Sequence, residues 1–165
     1  MMKKVILSLA FLAGATSVSY AQIETKIGAH IAYGSEIENP GAGVNAEFGL
    51  TDKLSLAPSF TYFFPKDYGY LDQKMWEANA NAHFYFMNAG AVGLYGLGGL
   101  NYANVTVDTD YFGESVSDSE GEIGFNIGAG SNFNLGGSIT PFAELKYVIS
   151  EFDQLVVAAG VRFNL

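Results

Sequence analysis

The ten residues VVAAGVRFNL (156–165) alternate two kinds of side chain. Val157, Ala159, Val161, Phe163 and Leu165 form one apolar series; Val156, Ala158, Gly160, Arg162 and Asn164 form a smaller, more polar one. A repeat of two belongs to a strand whose two faces meet different surroundings. The same rhythm returns at about 23–33, 42–50, 54–64, 75–86, 91–107, 121–134 and 139–149, and no 3.6-residue period is sustained after residue 21. The chain therefore reads as all-β, with eight strands. Pro58 inside the third segment predicts a bulge, because proline cannot donate to a ladder. Gly98 and Gly99 leave the phase of the fifth segment open.

The connections alternate in length. TDK (51–53), MNAG (87–90) and LGGS (135–138) are tight turns; GSEIENPG (34–41), PKDYGYLDQK (65–74) and DTDYFGESVSDSE (108–120) read as long loops, and SEFDQ (150–154) as intermediate. Such alternation predicts an antiparallel up-and-down barrel with two unequal rims. An even strand number sets both ends of the barrel chain at the short-turn rim.

The polar face decides which side meets solvent. In 121–134 it reads Glu122, Gly124, Asn126, Gly128, Gly130, Asn132, Asn134, and in 42–50 Gly43, Asn45, Glu47, Gly49. A water-facing surface of a soluble barrel would carry far more charge, about a quarter to a third of its residues. Small residues with sparse charge instead suit the crowded interior of an eight-stranded barrel. The opposite face holds Val44, Ala46, Phe48 and Leu50, then Phe60, Tyr62 and Phe64, then Trp76, Ala78, Ala80, Ala82, Phe84 and Phe86. Aromatics near strand ends with small apolar residues between them match a lipid-facing belt. The predicted fold is an eight-stranded antiparallel transmembrane β-barrel.

The beginning of the sequence agrees. Lys3 and Lys4 precede the apolar run VILSLAFLAGA (5–15), and Ser19 and Ala21 stand at −3 and −1 of a cleavage site before Gln22. Residues 1–21 are expected to be a secretory signal peptide and 22–165 the barrel domain. Removing Lys3 and Lys4 takes the formal charge from −9 to −11, a balance unsuited to nucleic acid. The chain has no cysteine, so thiol chemistry and disulfides are excluded.

Together the leader, the strand count, the turn LTDKLSL (50–56) and the terminal strand VVAAGVRFNL resemble the small eight-stranded outer-membrane barrels, OmpA-like and OmpX-like. The resemblance covers 22–165 and implies residence in the cell outer membrane, contact with its lipids, and insertion by machinery that reads the last strand. Phe163 and Leu165 are the candidates for that insertion signal. The peptidoglycan-binding domain that follows many OmpA-like barrels has no counterpart in the expected domain layout.

The last strand is expected to pair with 23–33 and close the barrel, which removes free edges. Arg162 then faces the interior with Glu24, Lys26, Glu47, Glu144 and Lys146: three acids and three bases on four contiguous strands. Buried charges are tolerable only when they pair. Arg162 and Glu24 both lie near the chain ends, and which of the six charges pair depends on barrel shear, which the sequence does not give. Glu47, Glu77, Asn79, Asn81, Tyr85 and Arg162 are expected to crowd the lumen.

Catalytic, cofactor and metal residues are all expected to be none. His30 and His83 face the lumen by phase, but GAHIAYG (28–34) and NAHFYFM (81–87) offer no adjacent serine to activate, as lipid A-modifying barrels would require. The 108–120 segment has Asp108, Asp110, Asp118 and Glu120, yet Phe112 and Ser119 stand where a calcium loop needs ligands. The long-rim connections carry Glu36, Glu38, Asp67, Asp72, Asp108, Asp110, Glu114, Asp118, Glu120, Glu151 and Asp153. The expected function is a structural or surface-interaction barrel with a packed polar lumen, a monomer whose acidic loops meet an unidentified extracellular ligand. The alternatives are a small passive pore and, last, a lipid A-modifying enzyme.

Overall fold

The computed structural model describes residues 24–67, 71–111, 114–151 and 153–165, with backbone alone at 66–67, 71–72, 109–111 and 114–117. The expected leader lies outside the described residues. Eight strands follow in order: β1 (Thr25–Gly34), β2 (Asn39–Gly49), β3 (Leu54–Asp67), β4 (Leu71–Ala89), β5 (Val92–Tyr111), β6 (Glu114–Phe133), β7 (Ile139–Ile149) and β8 (Gln154–Asn164). Each pairs antiparallel with its neighbours in sequence, and β1 pairs with β8, so the sheet is a closed barrel. Lys26 stands opposite Asn164 and Gly34 opposite Val156. The last strand is held because it is the closing one. The rim that holds Thr25 and Asn164 is termed the terminal rim, and the opposite one the far rim.

Alternation sorts every strand into an inner and an outer face. Arg162, Asn45, Glu47, Asn126 and Lys146 are buried, while Ile31, Val44, Phe125, Leu145 and Val157 are exposed. This is inside-out relative to a soluble protein, and it is what a barrel surrounded by lipid requires. The outer belt also has girdles. Tyr33, Tyr62, Trp76, Tyr102 and Tyr147 face outward toward the far rim; Phe84, Phe86, Phe133 and Phe163 do so toward the terminal rim. Phe60, Trp76 and Tyr102 pack as a row, with ring centroids 5.6 and 5.5 Å apart.

Two sequence expectations change, and one reading left open is decided. First, no bulge forms at Pro58: the β2–β3 ladder lapses between Asn45↔Ser59 and Phe48↔Leu56 with its register intact, and Pro58 still stands opposite Ala80 of β4. A missing donor removes one bond without requiring an extra residue. The register shifts lie instead at Phe63/Lys66 and Tyr85/Met87.

Second, 65–74 and 108–120 are not long loops. Their chain continues as strand, to Asp67 and from Leu71, and to Tyr111 and from Glu114. β4, β5 and β6 reach 19, 20 and 20 residues, about twice the ~9–11 that cross a bilayer, so this part of the sheet projects beyond it. The acidic, serine-rich composition suggested a loop. In the β5–β6 ladder, however, Asp108 stands opposite Ser117, Asp110 opposite Ser115, Asp118 opposite Val107 and Glu120 opposite Val105, so no two acids are opposed there. Asp72 of β4, by contrast, stands opposite both Asp67 of β3 and Asp108 of β5.

Third, the phase of β5 is unbroken across Gly98–Gly99: Tyr95, Leu97, Asn101 and Ala103 are all buried inward.

Candidate functional site

The interior is filled by setting large side chains beside glycines on adjoining strands, the large-and-small fit that narrow barrels use. Arg162 stands opposite Gly28 of β1, which in turn stands opposite Asn45 of β2. A Cβ on Gly28 would lie 2.1 Å from the carbonyl oxygen of Val161 and 3.0 Å from the Arg162 Cα. With no side chain there, the arginine lies across β1 and reaches β2. His30 likewise lies between Gly43 and Gly160, and Lys146 stands opposite Gly128.

The guanidinium of Arg162, 1 % exposed, is the centre of the first cluster. Its Nε donates to Asn45 Oδ1 at 2.9 Å, and Nη1 donates to Glu47 Oε2 at 2.8 Å and Asn132 Oδ1 at 2.9 Å. Nη2 donates to Glu144 Oε2 at 3.2 Å. Its carbon sits 3.8 Å from the centroid of the Phe142 ring. One side chain from β8 thus ties β2, β6 and β7 across the bore. The carboxylates are held from their other sides too: Ser55 and Tyr85 donate to Glu47 Oε1, and Tyr95 donates to Glu144 Oε2 at 2.8 Å.

A second cluster centres on Lys146. Its Nζ donates to Glu77 Oε1 at 2.6 Å and to Asn79 Oδ1 at 2.9 Å. Asn79 Oδ1 also accepts from Asn101 and Asn126, each at 2.8 Å. Five strands contribute to these two clusters' carboxylate and amide rows, and hydrogen-bonded pairing is what makes such buried charge tolerable.

The six expected charges do not form one group. Arg162 is brought to Glu47 and Glu144, but Glu24 is not its partner: Glu24 is mostly exposed at the terminal rim and pairs there with Lys26 at 3.1 Å. Glu24 precedes the first strand residue, so it lies below the guanidinium's level. Lys146 takes Glu77 from β4 instead of a neighbour on β7 or β8. Phe163 faces outward within the β8 ladder, opposite Ile27 and Ile139. Leu165 lies just past the strand, where its N–H donates to the Thr25 carbonyl at 3.0 Å.

Sequence reasoning missed Tyr95 as a luminal residue and missed the far-rim plug. Ala32, Ile37, Phe63, Met75, Ala103, Val148 and Val156 form an apolar cluster inside the barrel, above the charges. The signal for Phe63 and Met75 was present: both lie in phase with Thr61 and Glu77 on their own strands.

Between plug and terminal rim the bore holds two spaces. One, of about 30 Å³, lies among His30, His83, Glu77, Glu144, Lys146 and Arg162. The other, of about 540 Å³, is an open vestibule at the terminal rim, bordered by Lys26, Glu47, Asp52, Tyr85, Asn88 and Asn132. Both histidines are in the bore. His30 is engaged by Thr61 at Nε2 (3.0 Å) and Asn45 at Nδ1 (3.1 Å), while His83 stacks on Tyr95 with ring centroids 4.2 Å apart. Among the described residues no group of His, Asp and Glu has the arrangement of a metal site.

A closed eight-stranded barrel, apolar outside and charged but paired inside, defines a transmembrane barrel of the outer-membrane class. The chain belongs to the outer membrane protein beta-barrel domain family, whose sequence pattern matches residues 7–163. Solved structures show the same fold. The N-terminal β-barrel domain of Pseudomonas aeruginosa OprF is 21 % identical over 87 % of this chain and 98 % of that one, with a TM-score of 0.70. Ail, the attachment invasion locus protein of Yersinia pestis, is 20 % identical over 86 % and 97 %, with a TM-score of 0.60. Another Ail structure is a complex with the heparin analogue sucrose octasulfate (21 % identity over 85 % and 97 %, TM-score 0.55). Neisserial surface protein A is 18 % identical over 87 % and 97 %, with a TM-score of 0.61. No curated protein matches the sequence. Membership of this family places the chain in the cell outer membrane.

Proposed function

We propose that this protein is a non-conducting, non-catalytic monomeric stave of the outer membrane that presents an acidic sheet extension on its far side. The observation that carries the reading is the Arg162 clamp, four side chains from three other strands gathered on one guanidinium in the middle of the bore. Pores with an aqueous channel use about twice as many strands. Residues 1–21 serve as the leader in this reading, and Phe163 with Leu165 as the strand-end signal for insertion. The hydrogen-bonded state of His30 supports a non-catalytic interior, as does Ser55, which stands opposite His83 in register but donates its hydroxyl to Glu47 at 3.0 Å.

The far-rim segments carry eleven acids against Lys66 and Lys74. A polyanion such as the one held by Ail does not suit that surface; a cationic partner does. The second reading, a narrow pore, draws on the 540 Å³ vestibule at the terminal rim. Planar-bilayer recording separates the two. Closed traces with at most brief, small openings are expected, and stable ion-selective currents of porin size would establish the pore instead.

A further inference from the structure

His83 is 1 % exposed, and neither ring nitrogen has a hydrogen-bond partner. Yet both are aimed at carboxylates: Nδ1 stands 3.9 Å from Glu47 Oε2, and Nε2 stands 3.8 Å from Glu144 Oε2. These are the same two oxygen atoms that accept from Arg162, at 2.8 and 3.2 Å. One guanidinium therefore serves two carboxylates, and an imidazole with two idle nitrogens lies between them.

We propose that His83 is a proton-binding site of the lumen, whose occupation moves Glu47 and Glu144 from Arg162 onto the imidazolium. A neutral imidazole carries one N–H and one lone pair, so it can donate to only one of two flanking carboxylates. One added proton, placed on the bare ring nitrogen, gives a donor on each side and a positive charge between two negative ones. Arg162, Glu47 and Glu144 together are formally −1; with a protonated His83 the cluster is neutral. Gaining a competitor for both oxygens, the guanidinium keeps Asn45 and Asn132 and loses its hold on the acids.

The surrounding groups leave this exchange to His83. Lys146 on β7 is committed to Glu77 on β4 at 2.6 Å. His30 on β1 has both nitrogens engaged, and Lys26 on β1 pairs with Glu24 at the rim. Tyr85 on β4 and Tyr95 on β5 donate to the two carboxylates. β6 contributes Asn132, and β3 contributes Ser55, opposite His83 in register; neither titrates. Glu47 also borders the vestibule, which gives protons a route from the terminal rim, while the apolar plug lies on the other side.

The test is nuclear magnetic resonance on the full barrel in lipid nanodiscs, following the resonance of the Arg162 Nη–H groups that donate to Glu47 and Glu144 between pH 7.5 and 5.0. The wild type should show a reversible displacement of that resonance and a fall of about tenfold or more in its protection against exchange, corrected for pH. His83→Gln and His83→Phe, the second retaining a ring against Tyr95, should each leave the resonance still over the same range. Heat-modifiable migration confirms that at least one of them is folded. His30→Gln should respond like the wild type. An Arg162 signal unmoved by acid in the wild type, or one that moves equally in a folded His83 variant, overturns the proposal.

Discussion

Arg162 on β8 and Glu47 on β2 meet at 2.8 Å although β1 runs between their strands. The contact exists because Gly28, the β1 residue opposite Arg162, has no side chain to block the crossing. Replacing Arg162 with Leu would leave two buried carboxylates without their cation. Removing one partner of a buried pair costs about 3–5 kcal/mol, a large part of the ~5–15 kcal/mol that holds a domain folded. The variant should unfold from detergent micelles at clearly lower urea concentration than the wild type. An unchanged midpoint would show that the arginine does not bear on the barrel's stability.

The partners of Arg162 can be told apart by compensation. Adding Glu47→Leu to Arg162→Leu removes one stranded carboxylate and should recover part of the lost stability. Adding Glu24→Leu should recover none, because Glu24 is at the exposed rim with Lys26, where a pair contributes about 0–1 kcal/mol. Urea midpoints of the four proteins check this, and rescue by Glu24→Leu would reverse the assignment.

Two adjacent glycines should behave oppositely. A Cβ on Gly99 would lie 2.3 Å from the Ala80 carbonyl oxygen and 2.6 Å from the Asn81 Cα, both backbone atoms that cannot move aside. On Gly98 the nearest atom is 3.8 Å away. Gly99→Ala should cost about 1–3 kcal/mol or more, as overpacking does, and Gly98→Ala should be near neutral. Thermal unfolding in micelles reads the difference, and equal losses would contradict the inward placement of Gly99.

That pair also marks where the sequence stops being legible. Period-two alternation carries strand number, face and closure, because a strand's side chains can only go in or out. It carries nothing about which inward residues meet across the bore, since that depends on the stagger between strands. Hence Arg162 was legible as luminal, while its choice of Glu47 and Glu144 over Glu24 was not. Gly98–Gly99 left the phase open because glycine has no side chain to declare a face. Gly28, Gly43, Gly128 and Gly160 looked like small-residue filler, whereas each stands in register with a large luminal side chain on an adjoining strand. Composition misled at 108–120, where acids and serines suggested a loop and the ladder instead runs on to Tyr111.

The inside-out arrangement predicts how the protein partitions. Phe84, Phe86, Ile123 and Phe125 are each more than half exposed, a belt that water would not tolerate without detergent or lipid. The protein should fractionate with outer membranes and migrate faster on gels unboiled than boiled, because a closed ladder leaves no edge from which detergent can open it. Recovery as a detergent-free soluble monomer would contradict the lipid-facing assignment of that belt.

The last prediction concerns the plug. Phe63 and Phe60 are three residues apart on β3, yet Phe63 is fully buried in the bore with Ile37 and Met75, and Phe60 is exposed beside Trp76. Phe63→Ala empties part of an enclosed apolar cluster, and such truncations cost about 3–5 kcal/mol in protein interiors. Phe60→Ala removes a ring that lipid tails can replace, so its loss should be well under half as large. The two also differ in what they do to the bore. Opening the plug brings far-rim water down toward Lys146 and Glu77 while leaving the Arg162 clamp in place, so Phe63→Ala should make the region above the clamp wet without producing a through-channel. Because the chain has no native cysteine, a single Ala103→Cys reporter can be read cleanly with a membrane-impermeant thiol reagent. It should react slowly in an otherwise wild-type barrel and at least about tenfold faster when Phe63→Ala is added, a gain expected when local opening is made easier. Fast labelling of Ala103→Cys with Phe63 intact would mean that the apolar cluster does not seal the far end.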